Sequence, residues 1–271
     1  MLELMTRRTD PGPLPSAATA RLEVHGLSVA FGGLRALDAV DLHVAPGRIV
    51  SLIGPNGAGK TTLFNVISGF QKPTSGRVLF DGQPLDGRSA VDRARLGIRR
   101  TFQRMELFDE LNVIENVLVT KELAGRHSLL TGLFRGVHAS PGLMSDAEEV
   151  LAYLGLLHLA QAPVGALSTG QRRLLELGRV LISDASLVLL DEPSSGLDRS
   201  ETERFNEIVL GIRRSNPDCS VLLVEHDMTV ALGIADDVYV LNFGKMIASG
   251  NPAEIRQDEM VRAAYLGGEG S

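Results

Sequence analysis

The strongest chemical signal in this sequence is an eight-residue stretch, residues 54–61 (GPNGAGKT), which we call the phosphate loop. It fits the pattern G-x-x-x-x-G-K-[ST] and directly follows the apolar run Ile49–Ile53. Its glycines allow successive backbone amides to turn inward, and a helix expected at about Lys60–Ser68 adds its positive end. Lys60 supplies a charge for the β- and γ-phosphates of a nucleotide, and the Thr61 hydroxyl can coordinate magnesium. A glycine-rich turn that merely precedes a helix is the alternative, and the complete match after a strand disfavours it.

Two adjacent carboxylates, Asp191 and Glu192, follow a second apolar run at residues 187–190 and are called the acidic pair below. Neighbouring side chains at a strand end point to opposite sides, so the two acids can have separate tasks. Asp191 would hold magnesium through its water shell, and Glu192 would orient and deprotonate an attacking water. A solvated acidic turn is the alternative, and the phosphate loop makes it the weaker interpretation.

Three apolar runs must position these groups: Ile49–Ile53, residues 187–190 and residues 221–224. None of them alternates strictly between apolar and polar residues, which is typical of parallel strands buried on both faces. Each run ends in a polar cluster, and the third cluster is Glu225, His226 and Asp227. Because ligands of open α/β sheets bind beyond the carboxyl ends of parallel strands, one sheet edge is predicted to collect all three clusters.

The remaining sequence predicts further elements around this sheet. Leu22–Phe31 and residues 40–44 alternate in part, which indicates antiparallel strands with one solvated face. Residues 111–123 and 145–159 have helical apolar spacing, and the Gly- and Ser-bearing segment 125–142 between them is interpreted as an insertion or loop. The stretch between the phosphate loop and the acidic pair is longer than one crossover needs, so it is expected to hold a helical subdomain.

These elements define the predicted domain organisation. A core is expected at residues 21–103 and 181–268, with the helical subdomain at about residues 104–180 between its two parts. Residues 1–20 carry charges and three prolines without an apolar stretch, and are interpreted as a disordered, cytosolic tail.

Composition excludes several other classes of protein. The chain has 271 residues, with 27 Lys and Arg against 33 Asp and Glu, a net charge of −6 that disfavours electrostatic binding of bulk nucleic acid or anionic lipid. A single cysteine, Cys219, allows neither an internal disulfide nor a thiolate metal cage. No apolar run approaches the roughly 20 residues that a spanning helix requires.

Residues 167–171 (LSTGQ), called the signature segment below, resemble the signature motif of ATP-binding cassette ATPases. Thr169 stands where the family usually has glycine, while Ser168 and Gly170 are in place. The segment opens a helix predicted at residues 171–181, and its free amides and the Ser168 hydroxyl would meet a γ-phosphate. A simple serine N-cap is the alternative.

Other parts of the family pattern are also present. Gln103 resembles the glutamine that senses magnesium and the attacking water and links the core to the helical subdomain. Residues 195–198 resemble the loop through which two ATPase subunits communicate, and His226 resembles the switch histidine that contacts the γ-phosphate and positions Glu192. Phe31 lies where the family stacks an aromatic ring, more often Tyr, on adenine. A buried strand residue is the alternative for Phe31.

The resemblance covers about residues 22–268 and implies an α/β fold: a P-loop NTPase core with a mostly parallel central sheet, an N-terminal antiparallel β subdomain and an inserted α-helical subdomain. It also implies ATP and Mg²⁺ as cofactors. The residues implied in catalysis are Glu192, His226 and Gln103, and those implied in magnesium binding are Thr61, Gln103 and Asp191. The residues implied in nucleotide binding are Phe31, Gly54, Pro55, Asn56, Gly57, Ala58, Gly59, Lys60, Thr61, Thr62, Ser168, Gly170 and Gln171.

Short strings at residues 31–33, 100–103 and 265–268, together with the Gly-rich insertion at residues 125–142, are similar to the ATP-binding subunits of bacterial branched-chain amino-acid importers. The resemblance therefore implies an ATPase that powers uptake of branched-chain or other hydrophobic amino acids. In the family, each nucleotide lies between the phosphate loop of one subunit and the signature segment of the other, so a second, identical or related ABC ATPase subunit is expected.

Integral membrane permease subunits are the other partners that the resemblance implies. They would hold this cytoplasmic chain at the inner face of the cell membrane and would dock near residues 105–108. Side chains in the core of the helical subdomain are the alternative for these four residues. A soluble cassette ATPase acting in cytosolic assembly or remodelling is the alternative function. A small-molecule kinase would share the phosphate loop but would not explain the signature segment or His226. No nucleic-acid partner is expected.

Overall fold

The structure is a computed structural model that describes residues 20–101, 107–124 and 140–266. Within these ranges ten strands form two sheets, and helices lie against both. The expected disordered tail falls almost entirely on residues 1–19, which lie outside the described residues, as do residues 125–139 of the predicted insertion.

The first sheet is antiparallel and has the order β2-β1-β4-β5. Its strands are β1 (Leu22–Phe31), β2 (Leu34–Val44), β4 (Ser75–Phe80) and β5 (Gln83–Pro84). Leu22 and Val24 of β1 are buried and pair with Val44 and Leu42 of β2, as the alternating pattern predicts. The predicted antiparallel N-terminal subdomain is thereby confirmed.

The second sheet has the order β10-β9-β3-β8-β7-β6 and is parallel except for the β9–β10 pair. Its strands are β3 (Ile49–Ile53), β6 (Ile98–Arg100), β7 (Leu187–Asp191), β8 (Ser220–Val224), β9 (Asp237–Asn242) and β10 (Lys245–Gly250). The three apolar runs of the sequence are the neighbours β3, β8 and β7, and each of their residues is buried. The predicted mostly parallel central sheet is confirmed, and its carboxyl edge brings the three polar clusters side by side.

Two groups of helices surround the sheets. The α-helices of the described residues are α1 (Lys60–Ser68), α2 (Ala90–Arg95), α3 (Val113–Ala124), α4 (Pro141–Leu154), α5 (Thr169–Leu181), α6 (Arg199–Ser215), α7 (Met228–Ile234), α8 (Pro252–Gln257) and α9 (Glu259–Leu266), and Leu157–Leu159 and Val164–Ala166 form short 3₁₀ helices. Helices α3, α4 and α5 follow one another between β6 and β7 and pack together. None of the helices in the described ranges combines the length and the apolar character needed to cross a membrane.

The boundaries predicted for the second of these helices, residues 145–159, are wrong at both ends. Helix α4 begins at Pro141, because the Ser140 hydroxyl accepts a hydrogen bond from the Leu143 amide and proline suits a first helical turn. It ends at Gly155, whose φ of 74° closes the helix in the left-handed conformation. Residues 141–142 therefore belong to the helix and not to a loop.

The central sheet packs on both faces. Val188 and Leu190 of β7 lie in one apolar cluster with Val117 of α3 and Leu151 of α4. Leu187 and Leu189 of β7 lie in a second cluster, which contains Leu63 and Phe64 of α1 and buried residues of the antiparallel sheet. Because successive side chains of β7 point to opposite faces of the central sheet, helices α3–α5 pack on one face and the antiparallel sheet packs on the other. The domain boundaries near residues 104 and 180 stay a prediction.

Candidate functional site

The phosphate loop leaves β3 and leads directly into α1. Gly54, Gly57 and Gly59 have φ values of 152°, 78° and 108°, a region that favours glycine. A Cβ atom on Gly59 would come within 2.6 Å of the Ala36 carbonyl oxygen, so the close approach of β2 also requires glycine there. Because Gly59 is the N-cap residue, no side chain caps α1. The amides at its start are therefore available to an anion.

Lys60 is buried in the phosphate loop, with 5% of its surface exposed. Its Nζ donates hydrogen bonds to the carbonyl oxygens of Gly54 at 2.6 Å and Pro55 at 3.0 Å. Burial lowers the pKa of Lys60, and the nearby carboxylates of the acidic pair and Glu225 act against that shift. The loop thus holds a cation that is little hydrated and close to the place where phosphates would lie.

A cavity of about 560 Å³ lies beside the phosphate loop. It brings together Phe31, Glu192 and residues 56–62 of the sequence-predicted set. Phe31 is 49% exposed, so the alternative of a buried strand residue is wrong for it. The cavity also has lining residues that the sequence analysis did not single out, namely Leu34, Arg35, Ala36, Phe243 and Gly244.

Asp191 is the last residue of β7 and is 3% exposed. Its Oδ2 accepts a hydrogen bond from Arg100 Nη2 at 2.8 Å in a salt bridge that is itself buried. Arg100 Nη1 donates to Asn65 Oδ1 at 2.7 Å and to Ser68 Oγ at 2.8 Å, both on α1. One arginine therefore ties the end of β7 to the helix that follows the phosphate loop.

Sequence reasoning missed Arg100 as a site residue, although it is three positions before Gln103. The charge of Asp191 needs a partner when it is buried, which is the signal that could have prompted a search for a buried arginine. The sequence does not say which arginine that is, because Arg100 reaches Asp191 only through the pairing of β6 with β7.

Glu192 differs from its neighbour in both backbone and environment. Its φ of 47° is unusual for a residue with a side chain and takes the chain out of the strand direction. Its amide donates to the Val224 carbonyl at 2.9 Å, which holds it against β8. Glu192 is half-buried and lines the cavity, whereas Asp191 does not line it. The two acids thus have separate surroundings, as the sequence predicts.

The end of β8 carries a buried acid and an exposed histidine. Glu225 is fully buried, and its Oε1 accepts a hydrogen bond from the Ser194 amide at 3.0 Å. Burial raises the pKa of the Glu225 carboxyl. His226 is about half exposed, with Nδ1 at 3.9 Å from Glu225 Oε2. His226 does not line the cavity that contains Glu192.

The signature segment lies at the start of α5, away from the phosphate loop. The Ser168 hydroxyl accepts from the Gln171 amide at 3.2 Å, and the Gln171 side chain accepts from the Ser168 amide at 2.9 Å. This capping box satisfies two backbone amides within the chain. Gly170 is buried against the Glu201 side chain.

Ser168, Gly170 and Gln171 line a separate cavity of about 290 Å³. The lining residues of this cavity and of the cavity at the phosphate loop have no member in common. The predicted nucleotide-binding residues therefore fall into two groups that the structure does not bring together within the described part of one chain.

Two further predictions concern residues near the helices. Gln103 lies outside the described residues, as do residues 105–106 of the expected docking surface. Leu107 packs against the cluster that contains helices α3–α5. Phe108 is 38% exposed, with the Arg179 guanidinium 5.0 Å from its ring centre. Of the docking residues described, Leu107 is partly buried against the core and Phe108 remains accessible.

Comparison with known protein families gives two matches. The pattern of the ABC transporter family matches residues 37–195. The pattern described as branched-chain amino acid ATP-binding cassette transporter matches residues 245–271. The first match covers more than half of the chain and includes the phosphate loop, the signature segment and the acidic pair.

Similar proteins and structures agree with these matches. The high-affinity branched-chain amino acid transport ATP-binding protein LivG of Escherichia coli K12 is 42% identical over 253 residues, which cover 91% of this chain and 97% of LivG. BraF of Pseudomonas aeruginosa, named likewise, is 39% identical over the same shares. The crystal structure of MJ1267 in its ADP conformation, an ATP-binding cassette of an ABC transporter, has a TM-score of 0.82 at 32% identity and covers 92% of this chain and 99% of MJ1267.

Proposed function

This chain belongs to the ATP-binding cassette transporter family and is an ATPase subunit of a membrane transporter, and we propose that it powers the import of branched-chain or other hydrophobic amino acids. The solute is supported by the names of LivG and BraF and by the match at residues 245–271. The alternative of a soluble assembly or remodelling ATPase has no support among the relatives reported above.

The proposed nucleotide site is the cavity beside the phosphate loop. Backbone amides of residues 56–62, which line this cavity, and the Lys60 ammonium bind the β- and γ-phosphates, and Phe31 stacks on adenine. The exposed Thr61 hydroxyl and the Asp191 carboxylate are the hard oxygen donors that Mg²⁺ prefers, and Gln103 is the third proposed contact. When bound, magnesium neutralises phosphate charge. The burial of Lys60 supports the phosphate assignment, because a buried ammonium binds an anion more strongly than a hydrated one.

The proposed hydrolysis step uses Glu192 as the general base. A water oxygen attacks the γ-phosphorus, its proton passes to a Glu192 carboxylate oxygen, and the bond to the β–γ bridging oxygen breaks. ADP and inorganic phosphate leave, and Glu192 returns its proton to solvent. His226, which is half exposed and lies outside this cavity, is assigned the contact to the γ-phosphate and the orientation of Glu192 by its resemblance to the switch histidine of the family. The observation that carries this proposal is the single cavity in which Glu192 and Lys60 both lie.

The signature segment is proposed to act on a nucleotide held by a second chain. Ser168, Gly170 and Gln171 do not line the phosphate-loop cavity of their own chain, which supports a site completed across a dimer. The second chain is a copy of this one or a related ATPase subunit. Because the γ-phosphate would be the group that both chains contact, ATP favours the closed pair and hydrolysis releases it.

The permease partners are proposed to hold the chain at the inner face of the membrane, with docking at residues 105–108. The accessible Phe108 supports an apolar contact there. Purification of the tagged chain from its native membranes tests this proposal. We expect polytopic membrane proteins to co-purify and to drive ATP-dependent leucine uptake when reconstituted in liposomes.

A complex formed with Lys60→Ala serves as the control and is expected to show no uptake. Recovery of soluble partners alone would contradict the importer proposal, and ATP-driven uptake of a charged solute without leucine uptake would correct the solute.

A further inference from the structure

Phe243 lies in the tight turn between β9 and β10 and has an unusual conformation. Asn242 pairs with Lys245, so the turn consists of Phe243 and Gly244, whose φ values are 44° and 76°. Two consecutive positive φ values define a type I′ turn, in which Asn-Gly is the preferred pair. A bulky aromatic residue at a positive φ is strained. The turn alone therefore does not explain the choice of phenylalanine.

Packing within the chain does not explain Phe243 either. Its side chain is 87% exposed, the highest value among the large apolar residues described as exposed. An exposed ring contributes little to the free energy of folding, because little of its surface is removed from water. Strain and exposure together mean that the fold gains little from this side chain.

The turn is nevertheless fixed against the phosphate loop. The Gly244 amide donates to the Ala58 carbonyl at 2.9 Å, and the Gly244 carbonyl accepts from the Asp38 amide at 2.8 Å. A Cβ atom on Gly244 would lie 2.7 Å from the Ala36 carbonyl oxygen, so the turn also approaches β2 closely. These contacts hold Phe243 at a defined position beside the loop.

Phe243 lines the same cavity as the phosphate loop and Phe31. Two exposed aromatic side chains, from β1 and from the β9–β10 turn, thus border one cavity whose other lining residues include Lys60 and Thr61. A nucleotide has a charged phosphate chain, which suits Lys60 and the loop amides, and a flat base, which suits the aromatic rings. The exposed Leu34 adds apolar surface to the aromatic part.

We propose that Phe243 is a second aromatic contact for the base of the bound nucleotide, so that it binds the base together with Phe31 without selecting between bases. This inference rests on the proposed function, because it requires the cavity to hold ATP. The strain at Phe243 is then offset in the bound state by burial of its ring against the base. Because a ring face contacts the base face and not its hydrogen-bonding edge, ATP and GTP depend on Phe243 alike.

Phe243→Asn is the most informative variant, because Asn-Gly suits the type I′ turn. Calorimetry would compare binding of ATP, GTP and inorganic tripolyphosphate, and thermal unfolding without ligand would report stability. We expect ATP and GTP affinity to fall about tenfold, which is within the range of one base–aromatic contact. Tripolyphosphate affinity is expected to stay unchanged, and the unfolding midpoint is expected to stay equal or to rise.

Two further variants serve as controls. Phe243→Tyr keeps the ring and is expected to retain the parent ATP affinity. Phe70→Asn removes another exposed phenylalanine, which does not line the cavity, and is expected to leave ATP affinity unchanged.

The outcomes separate this inference from the proposed function. If Phe243→Asn binds ATP as tightly as the parent does, the base contact is overturned. The proposed nucleotide site would still stand in that case, provided that the parent binds ATP and tripolyphosphate. Equal losses of ATP and tripolyphosphate would also overturn the base contact, because they would indicate a disturbed phosphate loop. A parent protein that binds neither ligand would contradict the proposed function itself.

Discussion

The starts of α1 and α5, the two helices proposed to contact nucleotide, differ in how their backbone amides are capped. At α1 the N-cap is Gly59, no side chain caps the helix, and the buried Lys60 lies beside a cavity of about 560 Å³. At α5 the Ser168 and Gln171 side chains satisfy the helix start themselves, beside a cavity of about 290 Å³. The first start leaves its amides to water or a ligand, whereas the second satisfies two amides with its own side chains.

This difference is consistent with the proposed site divided between two chains. A phosphate loop with uncapped amides and a cation binds the triphosphate first, and a capped helix start adds its remaining amides and dipole only when a γ-phosphate is presented to it. The signature segment is therefore suited to detect a ligand held elsewhere. The following variants test each side of this comparison.

The largest effect is expected for Glu192→Gln, which keeps the shape of the side chain and removes the base. The hydrolysis rate is expected to fall about a thousandfold, because general base catalysis contributes about 10² to 10⁴ in rate. ATP binding is expected to remain, so gel filtration with ATP should show a persistent dimer. Glu207→Gln, on the exposed face of α6, serves as the control. Hydrolysis at the parent rate would remove Glu192 from this role.

Arg100→Met breaks the connection between β7 and α1. The variant leaves the buried Asp191 carboxylate without its partner, so the free energy of unfolding is expected to fall by about 3 kcal/mol. Addition of Asp191→Asn is expected to restore part of this loss, since the unpaired charge is then removed. Urea unfolding of the single and double variants gives both values. Additive losses would show that the ion pair does not carry the effect.

Lys60→Ala tests the side of the comparison that binds ligand within one chain. ATP affinity measured by calorimetry is expected to fall about tenfold to a hundredfold, which corresponds to one hydrogen bond to a charged group. Unchanged affinity would contradict the assignment of the phosphate loop.

Ser168→Ala tests the other side and is expected to have the smallest effect on the isolated chain. Loss of the N-cap should lower the free energy of unfolding by about 1 kcal/mol, while ATP affinity of the monomer stays at the parent value. Thermal unfolding and calorimetry measure the two quantities. A weaker ATP affinity in the monomer would place Ser168 in the site of its own chain. It would contradict the claim that the signature segment acts on a nucleotide held by a second chain.

The sequence predicts the parts of this molecule that local patterns determine. The runs at β3, β7 and β8 lack alternation because both faces of these strands are buried. The phosphate-loop pattern places a glycine at position 59, where the backbone has a positive φ at the start of α1. The start of α4 escaped prediction because apolar spacing alone does not reveal the cap at Ser140. A helix nevertheless overlaps each of the three segments predicted as helical between β6 and β7, although the bounds differ.

Features that depend on tertiary contact could not be predicted. Arg100 meets Asp191 because β6 lies beside β7, and Phe243 reaches the nucleotide cavity because Gly244 bonds to Ala58. Neither residue belongs to the phosphate loop, the acidic pair or the signature segment. Their positions follow from strand order and turn contacts, which a single sequence does not display.

The central claim is that one nucleotide is completed by the phosphate loop of one chain and the signature segment of another. Mixing two variants of this chain, Lys60→Ala and Ser168→Arg, tests it most directly, since the first lacks the phosphate cation and the second has a bulky side chain at the signature segment. Each variant alone is expected to be inactive, while the mixed dimer contains one intact site and should recover ATP hydrolysis. A mixture no more active than its separate components would contradict the account.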